Sequence, residues 1–331
     1  MKKKILAVLL VAAMTGTMML GCGKKEGTPK KSEKKTEKES SDDLVGISVP
    51  KAITGWTAAV QYYAEKAAEE EGLNYISTAA ENSSEQANDI DDLIQKGCKV
   101  IIMQPINDEL SVAAKKVMDA GITLIDFDRT LGDTTPDYLV NGDNRAMGEN
   151  GAKYIGEKLG GKGKAAIVSI PSYGEIFTER VNGFKDVIAK DYPDIEVIGE
   201  YASDNGSPEA GLAAMTDVLT ANPEIDAIYS ADDEVSVGIY QAIQEAGRTD
   251  IKVVTGGGGA NAYFKLMDQT DIWLCSQTYA PNMIIECVKM AKGILEGETY
   301  DSVITIPTEN VDRDNVEQWK KDNMVDEKAP Y

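Results

Sequence analysis

The sequence predicts an α/β protein made of two lobes, each with a doubly wound parallel sheet. Short apolar runs such as Val100–Met103 are typical of strands buried on both faces of a parallel sheet, and they alternate along the chain with amphipathic helical patterns. The alternation restarts near Ala165. Because 331 residues exceed the size to which one core usually grows, the restart indicates a second lobe.

The sequence predicts that residues 1–22 are a lipoprotein signal peptide. Lys2–Lys4 form a basic segment, and the apolar run Ile5–Met19 is too short to span a membrane comfortably. The run ends at Leu20-Gly21-Cys22, which resembles a bacterial lipobox, although Met19 stands where that motif more often has leucine. On this interpretation Cys22 is lipidated and becomes the mature N-terminus. An ordinary signal peptide with a chance cysteine is the alternative, and both predict export.

Residues 23–43 are predicted to form a disordered tether, because they are rich in Lys, Glu, Ser and Thr and lack apolar periodicity. Residues 1–43 contain 10 of the 34 basic and 6 of the 55 acidic residues, so the rest of the chain has a net charge of −25. Such an acidic body repels nucleic acid and anionic lipid surfaces. We therefore expect no nucleic-acid partner, and a membrane link only through a lipid on Cys22.

Composition excludes several kinds of site. The chain has no histidine, which rules out His-dependent catalytic triads and the usual zinc sites, and we expect no metal or cofactor. Cys98, Cys275 and Cys287 lie beside apolar strands or inside a helix and form no CxxC pair. We expect them to be buried, inert thiols.

The first lobe is predicted to follow the order β-α-β-α-β-α-β, with strands at 44–49, 75–77, 99–103 and 122–125. The first helix begins at Gly55-Trp56, and Ser83 with Gln86 has the spacing of a capping box for the second. The third helix has an apolar face formed by Leu110, Ala113, Ala114, Val117 and Met118.

Polar residues follow two of these strands where each strand ends. Gln104 comes after the strand at 99–103, and Asp128-Arg129 comes after the strand at 122–125. The helix between them makes the strands parallel neighbours, so these residues share the carboxyl edge of the sheet. Ligands of open α/β sheets bind at that edge.

The second lobe repeats the same order of elements. Its strands are predicted at 165–170, 195–198, 225–229, 251–254 and 272–275, with a last strand of the chain at 303–306. Helices are expected between them, including one through Arg180, Phe184 and Val187.

Seven short segments add a pattern that extends over nearly the whole mature chain. They are Gly55-Trp56, Gln104-Pro105, Asp128-Arg129, Gly142-Asp143-Asn144, Thr178-Glu179-Arg180 before Gly183-Phe184, Asp232-Asp233-Glu234 and Tyr279-Ala280-Pro281. In this order and spacing they resemble the ribose-binding-protein-like, type I class of periplasmic or lipoprotein sugar-binding proteins of ABC importers.

The resemblance implies a type I periplasmic binding protein fold with a three-segment hinge, crossed near Asp143, Tyr279 and Thr305. Lobe 1 then takes residues 44–143 and 279–304, and lobe 2 takes residues 144–278 and 305–331. It also implies that the protein captures a sugar or related polyol outside the cell and delivers it to an ABC permease. We expect a monomeric, membrane-anchored lipoprotein without enzymatic activity.

A sugar site needs aromatic surface, carboxylates, amides and arginines of fixed geometry. Trp56 is expected to form an aromatic wall, the alternative being a tryptophan that packs against the helix start. Gln104 is expected to offer its amide to the ligand. Asp128 and Arg129 are expected to face the ligand and not each other, since adjacent residues at a strand end point in different directions.

The resemblance implies further contacts from the second lobe. Arg180 is expected to make a bidentate sugar contact, although a surface arginine is the alternative. Asp232 is expected to contact the ligand as a carboxylate. The neighbouring Asp233 and Glu234 have helix capping as an alternative role, since early acidic residues suit a helix N-terminus.

The expected site also includes residues at two crossings of the chain between the lobes and in one loop. Asp143 or Asn144 is expected to meet the ligand at the first crossing, and Tyr279 at the second, where relatives often have glutamine. Tyr173 and Glu175 follow a strand of the second lobe and are expected to reach the cleft, with a plain loop as the alternative.

One segment departs from the family pattern. After the strand at 251–254 relatives commonly have an aromatic-aspartate pair, whereas this chain has the glycine run Gly256–Gly259. The missing carboxylate indicates a larger ligand or one held by backbone amides at the start of the next helix, with Gly257 as the expected contact. A phosphate loop is set aside because the Lys-Ser/Thr of a Walker loop is absent. The departure argues against ribose itself.

Two other functions remain open on the sequence alone. One is a sensory receptor that hands its closed form to a membrane kinase. The other is an exported enzyme acting on sugars, with Asp128 and Asp232 as an acid/base pair. We expect neighbouring polar and cationic groups to keep both carboxylates ionised, which argues against the enzyme.

Overall fold

The computed structural model of the protein describes residues 43–52, 54–323 and 325–331. The predicted signal peptide with its lipidation site Cys22, and the predicted tether up to residue 42, lie outside the described residues. None of the described helices is long and apolar enough to cross a membrane.

The described residues form twelve strands and ten α-helices. The strands are β1 (Leu44–Pro50), β2 (Asn74–Ala80), β3 (Val100–Met103), β4 (Thr123–Phe127), β5 (Tyr138–Gly142), β6 (Lys162–Ser169), β7 (Asp194–Ala202), β8 (Ala227–Ser230), β9 (Val253–Gly257), β10 (Trp273–Gln277), β11 (Val303–Ile306) and β12 (Asn310–Asp312). The helices are α1 (Gly55–Glu70), α2 (Ser83–Gln95), α3 (Ser111–Asp119), α4 (Asn144–Leu159), α5 (Glu175–Asp191), α6 (Pro208–Ala221), α7 (Asp233–Glu245), α8 (Asn261–Phe264), α9 (Ile284–Leu295) and α10 (Val316–Asp322).

The first sheet has six strands in the order β11-β5-β4-β3-β1-β2, and all neighbouring pairs are parallel. All four residues of the central strand β3 are buried, as its apolar run predicts. Val100 and Ile102 point into one core, which they share with α1, whereas Ile101 and Met103 point into a second core with α2 and α3. The sheet is therefore covered by helices on both faces.

The second sheet has the order β12-β10-β9-β8-β6-β7. Its pairs are parallel except that β12 runs antiparallel to β10. The two sheets confirm the predicted α/β class with two parallel-sheet lobes. The short edge strand β12 was not predicted, because three residues with a single apolar side chain, Val311, carry no periodic signal.

The predicted start of α1 at Gly55 is confirmed, whereas the predicted capping box of α2 is wrong. Asn82 caps α2, since its side chain accepts a hydrogen bond from the Glu85 amide at 3.0 Å. Gln86 is instead fully buried. Its Nε2 donates to the Gln104 carbonyl at 2.7 Å and its Oε1 accepts from the Ile106 amide at 2.9 Å. Gln86 therefore fixes the chain that leaves β3.

The chain passes between the two sheets more than once. The first sheet takes its strands from 44–142 and 303–306, and the second sheet takes its strands from 162–277 and 310–312. The division of the chain into lobes at residues 143, 278 and 304 stays a prediction, and β11 runs two residues beyond the last of these boundaries.

The three cysteines that follow Cys22 are free and buried, as predicted. Cys98 lies before β3, Cys275 lies in β10 and Cys287 lies in α9. Burial raises the pKa of each thiol, so these side chains are poor nucleophiles.

Candidate ligand-binding site

A cavity lies between side chains at the carboxyl edges of the two sheets. Its volume is about 70 Å³. Eight of the eleven predicted ligand-binding residues line it, namely Trp56, Asp128, Arg129, Tyr173, Arg180, Asp232, Gly257 and Tyr279. The lining also contains Thr54, Thr57, Ile176, Glu234, Gly258 and Tyr331, which were not predicted as ligand contacts.

Two sets of lining residues face each other across the cavity. We call Thr54, Trp56, Thr57, Asp128 and Arg129 the first wall, since they follow strands of the first sheet. The second wall lies on the side of the second sheet and contains Tyr173, Ile176, Arg180, Asp232, Glu234, Gly257 and Gly258.

Trp56 occupies the first turn of α1, where Thr54 caps the helix. Its indole Nε1 donates to the Tyr279 carbonyl at 2.8 Å. Its ring lies nearly parallel to that of Phe127, at an angle of 5° and a centroid separation of 6.2 Å. Trp56 therefore packs the helix start and also presents aromatic surface to the cavity, so the two interpretations of this residue are compatible.

Asp128 has the only positive φ among the described non-glycine residues, at 75°. A left-handed backbone at a non-glycine residue costs on the order of 1–3 kcal/mol and is frequent at functional sites. The carboxylate is held from two sides, because Oδ1 accepts from the Tyr279 hydroxyl at 2.7 Å and Oδ2 accepts from the Gln104 amide at 3.2 Å. Asp128 is thus fixed before any ligand arrives.

Asp128 and Arg129 face the cavity, but the expectation that they do not contact each other is wrong. Arg129 Nε lies 3.7 Å from Asp128 Oδ2. The left-handed backbone of Asp128 interrupts the alternation of side chains that holds along an extended strand, so the usual argument from strand geometry fails here. The guanidinium is also anchored, because Nη1 donates to the Ile106 carbonyl.

Gln104 lies behind the cavity and not in its lining. It is 1 % exposed, and its amide nitrogen is bonded to Asp128. Its Oε1 has no hydrogen-bond partner among the described residues. The structure therefore assigns Gln104 to the support of Asp128, while direct contact with a ligand stays a prediction.

Tyr279 lies at the junction of the walls and is 4 % exposed. Its ring approaches β5 so closely that a Cβ on Gly142 would lie 2.4 Å from it. Burial and the nearby Asp128 raise the pKa of the phenol well above its usual value. The hydroxyl therefore stays protonated and donates to Asp128.

Arg180 comes from α5 and is 6 % exposed, so a surface arginine is excluded. Its guanidinium carbon lies 4.9 Å from the centroid of the Tyr279 ring. Nε donates to Asn144 Oδ1 at 2.9 Å and Nη1 donates to the Ala231 carbonyl at 2.7 Å. A guanidinium has five N–H groups, so Nη2 and the second hydrogen of Nη1 are left for a ligand.

Asp232 caps α7, since its Oδ1 accepts from the Val235 amide at 2.9 Å. Burial raises the pKa of its carboxyl to about 7, with smaller opposing effects from the Val235 amide and the Arg180 charge. The expectation that neighbouring groups keep Asp232 ionised is therefore wrong, since the carboxyl is partly protonated at neutral pH because desolvation outweighs the nearby cation.

Glu234 makes a contact that the sequence did not predict. Its Oε1 accepts a hydrogen bond from the Gly55 amide at 3.2 Å. A carboxylate of the second wall thus lies at the N-terminus of α1, where the helix dipole favours negative charge. Burial raises the pKa of Glu234. This bond joins the two walls directly.

The glycine run is held by Asp233, which is fully buried. Asp233 Oδ2 accepts from the amides of Gly259 and Ala260, each at 2.8 Å, and from the Ser276 hydroxyl at 2.8 Å. The expectation that backbone amides at the start of α8 hold the ligand is therefore wrong for these two amides. Gly257 lines the cavity, as predicted.

Asp143 and Asn144 lie outside this cavity. They line a larger, more open one of about 690 Å³, together with Glu175. Asp143 caps α4 by accepting from the Ala146 amide at 2.8 Å, and Asn144 holds Arg180. Tyr173 lines both cavities, which are therefore adjacent.

The cavity lining contains both hydrogen-bond acceptors and hydrogen-bond donors. Three carboxyl groups, from Asp128, Asp232 and Glu234, face two guanidinium groups and an indole. Burial raises the pKa of Tyr173, so that hydroxyl also stays protonated. Such a set can donate to and accept from several hydroxyl groups and offers an aromatic surface to C–H groups, which fits an uncharged, hydroxyl-rich ligand.

Residues 45–299 match the family model of the periplasmic binding protein domain. The chain belongs to this family. This periplasmic binding protein is 28% identical to the ribose import binding protein of Bacillus subtilis (strain 168), over 80% of this chain and 85% of the relative. It is 29% identical to a putative rhizopine-binding protein of Rhizobium meliloti, over 75% of this chain and 82% of the relative.

Solved structures agree in fold. A solute binding protein of an ABC transporter from Bacillus halodurans C-125, with bound myo-inositol, aligns with a TM-score of 0.77 at 22% identity, over 86% of this chain and 99% of that chain. The predicted resemblance and the predicted type I periplasmic binding protein fold are both confirmed.

Glu234 and Tyr331 line the cavity of this periplasmic binding protein but were not predicted as ligand contacts. Glu234 follows two other acidic residues, a pattern that also describes an ordinary helix start. Tyr331 follows no strand and belongs to no periodic segment, so no signal pointed to it. Thr54 had a usable signal, since a threonine before an amphipathic helix is a typical N-cap.

Proposed function

We propose that this periplasmic binding protein captures a monosaccharide or related polyol in the cavity between its two walls and delivers it to an ABC permease. The observation that carries the proposal is the set of Trp56, Asp128, Arg129 and Arg180 around one cavity. The relatives of the chain include a ribose import binding protein and a putative rhizopine-binding protein, which supports it. The protein works outside the cytoplasm, as its family does.

The proposed mechanism is closure of the two lobes on the ligand. A ligand that contacts both walls stabilises the closed state by its differential affinity for that state. The bond between Glu234 and the Gly55 amide supports this mechanism, because it forms only when the walls are close. The closed form would then dock on the permease.

A thermal-shift screen of the protein against D-ribose, D-allose, L-arabinose, myo-inositol and glycerol tests the proposal. A ligand that binds only the folded state raises the Tm, and at 100 times its Kd the stabilisation is about 2.7 kcal/mol. We expect at least one of these compounds, or a close relative, to raise the Tm. No shift with any sugar or polyol would contradict the proposal.

We also propose that the mature protein is a monomer anchored to the membrane through a lipid on Cys22. The lipobox-like segment and the polar tether that follows it support this proposal. Metabolic labelling with palmitate tests it, since the label should appear in the wild-type protein and be lost in Cys22→Ser. Equal labelling of both would contradict the anchor.

A sugar-acting enzyme is the second candidate, favoured by the raised pKa of Asp232. The proposed function differs from that of an enzyme, because the bound sugar is not chemically converted. Incubation with p-nitrophenyl glycosides separates the two, because release of nitrophenol by the wild type, lost in Asp232→Asn, would establish the enzyme.

A further inference from the structure

The segment 325–331 runs from α10 to α1 and then enters the cavity. Asp326 Oδ2 accepts from the Tyr62 hydroxyl at 2.8 Å and from Lys66 Nζ at 2.7 Å, and the Asp326 amide donates to the Tyr63 hydroxyl at 3.1 Å. The segment is therefore attached to α1, the helix that contributes Trp56 and Thr57 to the first wall.

Five residues later, Tyr331 lies in the cavity and is 8 % exposed. Its carbonyl accepts from Asn261 Nδ2 at 2.8 Å, and its hydroxyl lies 3.5 Å from the Gly257 carbonyl. Its ring also lies against the start of α1, since a Cβ on Gly55 would be 3.2 Å from Tyr331 Cδ2. Tyr331 thus touches both walls.

The glycine run makes room for this segment. A Cβ on Gly258 would lie 1.9 Å from the Tyr331 hydroxyl, and one on Gly259 would lie 3.2 Å from the Trp319 ring of α10. Both glycines have positive φ, which other residues rarely adopt. The side chains of Tyr331 and Trp319 therefore pack directly against the glycine run.

Tyr331 also separates the cavity from a smaller space of about 10 Å³ behind it. That space is lined by Tyr63, Gly259, Trp319 and Tyr331 itself. Because Tyr331 lines both spaces, its side chain lies between them and limits how far a ligand can extend in that direction.

We propose that Tyr331 is a specificity-determining residue of the binding site, whose ring confines the ligand to a single monosaccharide or cyclitol. The inference rests on the proposed function. The ring lines the same cavity as Trp56 and offers apolar surface there. Burial, with smaller contributions from nearby acidic groups, raises the pKa of the Tyr331 phenol well above its usual value, so the hydroxyl stays protonated. The ring sets the size of the ligand, and the hydroxyl makes a smaller contribution through hydrogen bonding.

Calorimetric titration of wild type, Tyr331→Ala and Tyr331→Phe tests the inference, with D-ribose, D-allose, myo-inositol and their phenyl or glucosyl derivatives as probes. In Tyr331→Ala we expect the Kd for the best monosaccharide or cyclitol to rise at least tenfold. We also expect binding of a bulky derivative that the wild type rejects. Tyr331→Phe should stay within about fivefold of wild type and keep the size limit.

The control is Tyr75→Ala, since Tyr75 lies on the edge strand β2 and outside the cavity lining. It should leave all affinities unchanged. If Tyr331→Ala does not fold, as judged by circular dichroism, Tyr331→Leu is used, which fills part of the space and should show the same direction of change.

Three results would overturn the inference. An unchanged Kd and an unchanged order of preference in Tyr331→Ala would show that the residue is outside the functional site. Tighter binding of every probe would show that Tyr331 competes with the ligand. Rejection of bulky derivatives by Tyr331→Ala, together with weaker binding of the monosaccharide, would show that the ring does not set the size limit. Failure of the wild type to bind any probe would instead count against the proposed function.

Discussion

The two walls of the cavity hold their carboxyl groups by different means. On the first wall, Asp128 accepts from two other side chains, those of Gln104 and Tyr279. On the second wall, Asp232 accepts from the Val235 amide and Glu234 accepts from the Gly55 amide. The carboxyl group of the first wall therefore depends on the identity of neighbouring side chains, whereas those of the second wall depend on the backbone.

Because of this difference, we expect the two walls to respond differently to amino-acid substitutions. A buried network of side chains is disturbed when any member is replaced, because the remaining polar groups lose their partners. A backbone carbonyl or amide keeps its place after most substitutions nearby. We expect substitutions on the first wall to have the larger effects on binding.

The largest effect is expected for Asp128→Ala. The change removes a fixed acceptor for ligand hydroxyls, and each hydrogen bond to a charged group contributes about 1.5–3 kcal/mol. We expect the Kd of the sugar found in the screen to rise about 100-fold, measured by calorimetry. Asp119→Ala, at an exposed position at the end of α3, is the matched control and should bind normally. Equal affinity of the two variants would refute the role of Asp128.

A smaller effect is expected for Arg180→Lys on the second wall. Lysine keeps the charge but loses the flat group that stacks on Tyr279 and the fork that bonds Asn144 and Ala231. Two lost bonds of about 1 kcal/mol each predict a Kd about 30-fold higher. Arg248→Lys, which changes an arginine bonded to Asp250, controls for the substitution itself. A weaker effect in Arg180→Lys than in Arg248→Lys would contradict the assignment.

The pH dependence of ligand binding tests whether the ionised carboxyl of Asp232 accepts hydrogen bonds from the ligand. With a pKa of about 7, its carboxyl is partly protonated at neutral pH, and only the ionised form accepts from ligand hydroxyls through both oxygens. The affinity of the wild type should therefore rise about fivefold between pH 6 and pH 8. An asparagine side chain also caps helices, so Asp232→Asn should keep the start of α7 and bind with little pH dependence. A steeper profile in the variant would argue against Asp232.

The smallest effect on binding, essentially none, is expected for Asp126→Asn. Asp126 is fully buried in β4, and burial, with a smaller contribution from Asp128, raises the pKa of its carboxyl to about 9. The folded state then holds a proton that the unfolded state releases near pH 4, so stability of the wild type falls as pH rises from about 4 to 9.

Urea unfolding of wild type and Asp126→Asn at pH 5 and pH 8 measures this. The advantage of the variant should grow with pH, by at most about 1.4 kcal/mol of unfolding free energy per pH unit. A constant difference between the two proteins across this range would show that Asp126 does not titrate between the folded and unfolded states.

Much of the fold and part of the cavity could be predicted, for a physical reason. Strands buried on both faces are continuous apolar runs, so the first polar residue after a run marks the carboxyl edge of a sheet. Gln104 and Asp128 directly follow β3 and β4, and Asp232 lies two residues after β8. The sequence does not say which of them faces the cavity, and Gln104 proved to lie behind Asp128.

The remaining features depend on contacts between distant segments. Glu234 meets Gly55, 179 residues away, and Asn261 meets Tyr331, 70 residues away. The raised pKa of Asp232 results from burial in the complete fold. No local pattern carries these facts, because each depends on segments that are distant in sequence coming together in the complete fold.

The buried thiols allow local opening of the protein to be measured by chemical labelling. Cys98 lies in the core of the first sheet with α2 and α3, and Cys275 lies in the second sheet. A maleimide dye cannot reach either sulfur while its lobe stays folded, so labelling rates of single-cysteine versions would report local opening of each half separately. The native cysteines can thus report how each half opens, without the introduction of a new cysteine.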